Sequence, residues 1–195
     1  MTVFITYPHP GLVAQSFAHS LLRITLQHRE LIEDICPVRG YPGDGLIVAR
    51  NAGVDAFLRS RAEWLWTLDT DIGFRPSALQ DLLSVGEPVV SGLYYTSWED
   101  GNDGTGAPNW HSSACVWDKN GNEYEDLSGV MEVGYVGAGC LLVHRDVIEK
   151  IGSNWWNLKP GKGEDISFCE RVREAEYSIY CNTQVRLSHR KAVYL

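Results

Sequence analysis

Four short groups of residues in this chain have the types and spacing to do chemistry. Asp69-Thr70-Asp71 directly follows the apolar run Trp64-Leu65-Trp66-Thr67-Leu68. On an extended or turning backbone, carboxylates at i and i+2 can converge on one cation, or one can take a hydroxyl while the other holds the metal. Hard divalent cations such as Mg²⁺ and Mn²⁺ favour such oxygen ligands and keep positions open for phosphate oxygens. An Asp-x-Asp after a strand also serves simply to begin a turn and cap a helix. Gly163-Glu164-Asp165 opens a helical stretch. An acid at a helix start caps it and meets the positive end of the dipole, and it also suits a base that must reach a hydroxyl. Capping explains Asp165 but gives no reason for Glu164. His189 follows the last apolar stretch; a lone histidine is commonly structural, yet beside carboxylates an imidazole tilts a site from Mg²⁺ towards Mn²⁺. Arg50-Asn51 precedes the acidic group in sequence, where an arginine can pair with a phosphate, pair with the acids, or remain a surface cation.

The elements that must position these groups are legible from periodicity. Val3-Phe4-Ile5 reads as a strand ending at the breaker cluster of residues 7–11, Tyr-Pro-His-Pro-Gly. Val13, Phe17 and Leu21, with Ala14, Ala18 and Leu22 alongside, give a helix with one apolar face. Residues 31–38 are strand-like and residues 39–45 form a glycine-rich loop. A second helix over about 47–61 is expected to carry Val48, Ala52, Phe57 and Leu58 inward. Residues 64–68 form a short continuous apolar run read as a central strand, and Pro76 suits the first turn of a helix buried through Leu79, Leu82 and Leu83 and ended by Gly86. Residues 88–94 form the next strand. Alternating strand and helix implies an α/β fold with a mostly parallel central sheet covered on both faces. The acidic group then lies beyond the carboxyl end of a strand, where open α/β sheets bind ligands.

The second half breaks the pattern. Residues 97–111 are rich in turn formers and read as a long surface loop, a candidate lid. Strands are expected at 115–117, 130–136 and 140–143. Asp146 is expected to cap a short helix at 147–151 that Gly152 closes. A last helix begins near Asp165 and buries Ile166, Cys169 and Val172, and 179–187 is the final strand.

The 195 residues suit a single domain spanning 1–195, and 44% hydrophobic with 22% charged residues is an ordinary globular mix. A formal charge of -8, without a basic run, argues against nucleic acid or an anionic membrane as partner. A phosphate-bearing ligand therefore needs a bound cation or a few placed basic groups. No stretch is long enough to span a bilayer and no signal core follows the N-terminus, so a cytoplasmic location is expected. Cys36, Cys115, Cys140, Cys169 and Cys181 lack C-x-x-C spacing and read as reduced, buried thiols.

Taken in order, these pieces resemble the GT-A fold of glycosyltransferases, especially the family 2-like group and its small phage-encoded versions. The resemblance runs through Arg50-Asn51 and residues 66–71, then Gly137-Ala138-Gly139 with the strand that follows to Arg145. It continues in residues 163–169 and ends on His189, spanning nearly the whole chain from Val3. It implies a single Rossmann-like domain with a smaller antiparallel portion on the acceptor side. It implies a metal-dependent enzyme moving a sugar from a nucleoside-diphosphate sugar, with UDP the first choice, to a saccharide or protein hydroxyl, with inversion. Mn²⁺ or Mg²⁺ would be held by Asp69, Asp71 and His189, with Asp71 the direct ligand and Asp69 on the ribose or the metal's water shell. Asp165 resembles the catalytic base, and Glu164 helps place the acceptor. Thr6, Tyr7 and Pro8 match the region cradling the nucleobase, Arg50 the phosphate or acidic site, and Gly137 and Gly139 the close approach to sugar. Trp98, Trp110, Trp155 and Trp156 are either packing residues or indole platforms for a sugar face. A phage-encoded member would work in the bacterial host's cytoplasm.

Two other readings share this core. A sugar-phosphate nucleotidyltransferase would carry a basic, glycine-rich loop after its first strand, and residues 7–11 contain no Lys or Arg. A non-catalytic nucleotide- or carbohydrate-binding protein would have no need of Asp71, Asp165 and His189 together.

Overall fold

The structure, a computed structural model, describes residues 1–40, 45–102 and 108–190. Most of the expected glycine-rich loop, residues 41–44, lies outside the described residues, as do the side chains of Trp98 and Trp110. The chain runs β1 (Val3–His9), α1 (Gln15–Gln27), β2 (Ile32–Arg39), α2 (Gly45–Arg59), β3 (Trp64–Leu68), β4 (Ile72–Gly73), α3 (Ala78–Leu83) and β5 (Val89–Leu93). It continues through β6 (Tyr95–Asn102), β7 (Pro108–Ala114), β8 (Val116–Trp117), β9 (Val130–Val133), β10 (Tyr135–Val136) and β11 (Cys140–His144). The last elements are α4 (Arg145–Ile151), α5 (Glu164–Glu174), β12 (Ile179–Arg186) and β13 (Ser188–His189).

A seven-stranded sheet in the order β2-β1-β3-β11-β5-β12-β9 forms the centre. β2, β1, β3, β5 and β12 point one way; β11 runs against β3 and β5, and β9 against β12. The carboxyl ends of β1, β3 and β5 therefore meet at one edge, together with the start of β11. The continuous apolar runs are explained by burial on both faces. Val3, Ile5, Trp64, Trp66, Leu68, Cys140 and Leu142 pack on one side with Phe17 and Ile24 of α1 and Leu79 and Leu82 of α3. Phe4, Leu65, Leu141 and Val143 pack on the other with Val54 and Phe57 of α2, Val147 and Ile148 of α4, and Phe168, Cys169 and Val172 of α5. Alternate residues of a strand thus serve opposite layers. All five cysteines are free, and four are buried. Among the described residues no helix is long and apolar enough to cross a membrane.

Several local expectations are corrected. Residues 97–111 are not a long loop: β6 and β7 pair antiparallel from Tyr95 opposite Ala114 to Asn102 opposite Pro108, and residues 103–107 between them lie outside the described residues. The expected strand at 130–136 is two strands that part at Gly134, where a Cβ would sit 2.2 Å from the Asp118 carbonyl oxygen. In α1 the buried side is Phe17, Ser20 and Ile24, whereas Val13 and Leu22 are exposed. Ser20 can turn inward because its hydroxyl donates to the Ser16 carbonyl and accepts the buried Phe74 N–H. In α2 the buried stripe is Ala49, Arg50, Gly53, Val54 and Phe57, which turns Val48 out to solvent. The cap of α4 is His144, whose side chain accepts the Asp146 N–H; Asp146 itself sits in the first turn, and Gly152 closes the helix with φ 86°.

Candidate active site

The acidic group is pinned by three distant backbone segments. Asp69 N–H donates to the Gly139 carbonyl at 2.9 Å, Ala14 N–H donates to the Thr70 carbonyl at 2.8 Å, and Arg190 N–H donates to the Asp71 carbonyl at 2.9 Å. The first bond comes from the loop before β11, the second from the entry to α1, and the third from the end of β13. β13 reaches the site by pairing with β4, which sets His189 opposite Ile72. A residue 118 positions away in sequence from Asp71 is thereby placed beside it.

His189 Nε2 lies 3.2 Å from Asp71 Oδ2. Its Nδ1 is 2.9 Å from the Tyr95 carbonyl oxygen, an acceptor only, so Nδ1 carries the hydrogen. The hydrogen bond to Asp71 raises the histidine's pKa, against partial burial that lowers it. The second carboxylate oxygen, Asp71 Oδ1, is buried and has no partner among the described residues. Asp69 points elsewhere: its Oδ1 takes an N–H from Arg50 Nη2 at 2.9 Å. The same Nη2 lies 3.7 Å from Glu164 Oε1. Asp69, Asp71 and His189 therefore share one edge without forming a closed cage, and no three His, Cys, Asp or Glu side chains among the described residues converge as a ready metal cluster.

Asp165 stands at the second position of α5, and Gly163 is the residue before that helix. Asp165 is thus not the cap; its Oδ1 accepts the adjacent Ile166 N–H at 2.8 Å. Burial pushes its carboxyl above the ordinary aspartate range, opposed by the Ile166 N–H; neighbouring Glu164 adds to the rise and Arg50 offsets it.

Gly137 and Gly139 have a packing reason. A Cβ on Gly137 would sit 2.1 Å from Tyr94 Oη, and one on Gly139 would sit 2.4 Å from Ile72 Cδ1. Tyr94 is the buried post of this loop: its hydroxyl oxygen accepts the Gly139 N–H at 3.0 Å, and its ring meets His189 edge-on with centroids 5.4 Å apart.

A cleft of about 550 Å³ opens over the acidic group, with Pro8, Pro10, Leu12, Val13, Ala14 and Leu46 on its apolar side and Arg50, Asp69, Thr70, Asp71 and Arg190 on its polar side. Of the three residues expected around a base, Pro8 lines this cleft. Thr6 is buried with its hydroxyl donated to the Cys36 carbonyl, and Tyr7 packs edge-on against Phe17. Trp155 and Trp156 are not open platforms. Trp155 is buried and donates its indole N–H to the Ile148 carbonyl, and Trp156 is buried in a stack on Phe168 with centroids 4.4 Å apart. Tyr94, Tyr95 and Arg190 do not stand out in the sequence by type or spacing.

Sheet order, the acidic group at the carboxyl end of β3 and the late return of β13 to that edge give a GT-A-like fold. The comparisons with solved structures agree. The chain is similar to A197 from STIV, with a TM-score of 0.67 and 20% identity over 98% of this chain and 87% of that one. It is also similar to GalNAc-T7, whose crystal structure holds UDP, GalNAc and Mn²⁺, with a TM-score of 0.63 and 11% identity over 96% of this chain. The match spans 43% of the GalNAc-T7 chain, so less than half of that protein is represented here. No protein-family model matches the sequence, and no curated protein matches it.

Proposed function

We propose that this chain is a metal-dependent glycosyltransferase that moves a sugar from a nucleoside-diphosphate sugar, UDP before other nucleotides, to a saccharide or protein hydroxyl with inversion. The observation that carries the reading is the pairing of His189 with Asp71, a carboxylate that lines the cleft. Asp71 Oδ1 is a buried oxygen without a partner, and His189 gives its Nδ1 hydrogen to a backbone carbonyl, leaving Nε2 towards the cleft carboxylate. A histidine that ligates a metal holds its other ring nitrogen in this way. One carboxylate and one imidazole fit a hard divalent cation that fills the rest of its shell with substrate phosphate oxygens, and the imidazole favours Mn²⁺. A cation bound there would stabilise the charge that develops on the departing diphosphate.

The protein's own groups do the rest. The apolar side of the cleft at Pro8, Pro10 and Leu46 offers a surface for a nucleobase, and Arg190 adds positive charge on the polar side. Asp165 accepts the proton of the attacking hydroxyl as its oxygen bonds to the anomeric carbon and the bond from that carbon to the phosphate oxygen breaks. A carboxyl raised by burial is better matched to that proton than an ordinary aspartate. Glu164, tethered near Arg50, helps orient the acceptor.

The direct test is a melting experiment with UDP, Mn²⁺ and both. The two together are expected to raise Tm more than the separate shifts combined, and Asp71→Ala to remove that synergy. Absence of any shift across nucleoside diphosphates and divalent metals would reject the donor site. Slow, metal-dependent hydrolysis in a screen of nucleotide sugars would then identify the donor without knowledge of the acceptor.

A further inference from the structure

Arg50 and Asn51 stand side by side on α2, yet neither behaves as a surface residue. The Arg50 side chain is 3% exposed. One guanidinium nitrogen is shared between Asp69 at 2.9 Å and Glu164 at 3.7 Å, and the other reaches the Ala138 carbonyl at 3.4 Å. The guanidinium lies over the Trp156 ring, 5.0 Å from its centroid. Asn51 closes a two-point clamp on the same residue: its Nδ2 donates to the Trp156 carbonyl at 2.8 Å, and its Oδ1 accepts the Trp156 N–H at 3.1 Å. Trp156 in turn stacks on Phe168 of α5, with an interplanar angle of 15°.

We propose that Arg50, Asn51 and Trp156 form a positioning bracket that fixes the start of α5, with Glu164 and Asp165, relative to Asp69, so that occupation of the nucleotide cleft is felt at the acceptor side. This rests on the assignment of that cleft to a nucleoside diphosphate. The physical basis is a shared donor. A ligand that engages Asp69 competes for the carboxylate oxygen now held by Arg50 Nη2, and Glu164 is the next acceptor within reach of that nitrogen. The stack carries the same displacement into Phe168, because a planar guanidinium over an indole resists tilting. A lysine at position 50 supplies a charge but no planar guanidinium, so it cannot reproduce the stack over Trp156.

The test is amide hydrogen exchange on the full chain, with and without UDP and Mn²⁺, in the wild type, Arg50→Lys, Arg50→Met and Trp156→Leu. In the wild type, UDP with Mn²⁺ is expected to slow exchange at residues 69–72 and also at 164–168. In Trp156→Leu and Arg50→Lys the first effect should persist and the second vanish. In Trp156→Leu, whose side chain is not part of the cleft lining, Kd for UDP with Mn²⁺ is expected to stay within about threefold while turnover of the best nucleotide sugar falls at least about tenfold, because only the geometry between the two sides is lost. Protection confined to residues 69–72 in the wild type would overturn the bracket while leaving the donor site intact. If the wild type shows no protection at either place, the nucleotide assignment fails, and the ligand-free comparison decides the bracket. Without ligand, Arg50→Met, or Trp156→Leu should the former not fold, should speed exchange at both 69–72 and 164–168. A change on one side alone would refute it.

Discussion

Gly137 and Tyr94 allow the floor of the site to be tested quantitatively. A methyl group on Gly137 would lie 2.1 Å from Tyr94 Oη, 2.9 Å from Tyr94 Cζ and 3.1 Å from Cys115 Cβ. Tyr94 is buried and its hydroxyl holds the Gly139 N–H, so it cannot swing aside freely. Gly137→Ala is therefore expected to cost at least the ~1–3 kcal/mol of an overpacked core. Tyr94→Phe removes the hydroxyl and strands the Gly139 N–H, a loss of about 1–3 kcal/mol. The two changes are not independent, because the atom removed by the second is the worst obstacle to the first. The double variant should be less destabilised than the sum of the singles, by a coupling on the order of 1–2 kcal/mol. Equilibrium urea denaturation measures this, provided the slopes stay near that of the wild type. Additivity within about 0.5 kcal/mol would refute the claim that the Tyr94 hydroxyl is what demands glycine at 137. Since the Gly139 carbonyl holds the Asp69 N–H, Tyr94→Phe should also weaken binding of UDP with Mn²⁺.

Four further outcomes follow from the same geometry. Asp165→Asn should retain UDP binding yet lower sugar transfer by at least about a hundredfold, the usual scale for a lost general base; normal transfer would remove Asp165 from that role. The same variant should raise Tm at neutral pH. Asp165 is raised in the folded state, so its favourable contribution is complete only below the unfolded aspartate pKa and is lost as pH rises through the folded value. The gain should accordingly shrink as melting is repeated towards acid pH, and a gain independent of pH would contradict the burial argument. His189→Ala should weaken Mn²⁺ binding at least about tenfold by titration calorimetry, given that even outer partners of metal ligands cost 10–100-fold. Trp155→Phe should lower stability by about 0.5–1.5 kcal/mol, because the Ile148 carbonyl loses the indole donor and keeps the Gly152 N–H, while leaving the acceptor KM unchanged. A selective rise in that KM would restore an indole platform for sugar.

The sequence by itself determined the layered α/β core and the location of the acidic group. Runs such as residues 64–68 and 140–143 show no alternation of apolar with exposed polar residues, as expected of strands buried on both faces, and Asp69-Thr70-Asp71 follows one of them immediately. These are local signals, carried by neighbours in the chain. What tertiary structure decided is which side of each element turns inward and which distant groups meet. Ser20 is buried because a hydroxyl can satisfy itself against Ser16 and Phe74, and Arg50 because Asp69, Glu164 and Trp156 wait for it, conditions set by residues far away in sequence. Residues 97–111 read as a loop in sequence, since the hydrogen bonds that pair β6 with β7 are not intrinsic to either strand. His189 is ordinary in its own segment; the pairing of β13 with β4 makes it the partner of Asp71. Periodicity reports which residues can be buried, but the phase of burial and the meeting of charges depend on contacts that form only when the chain is folded.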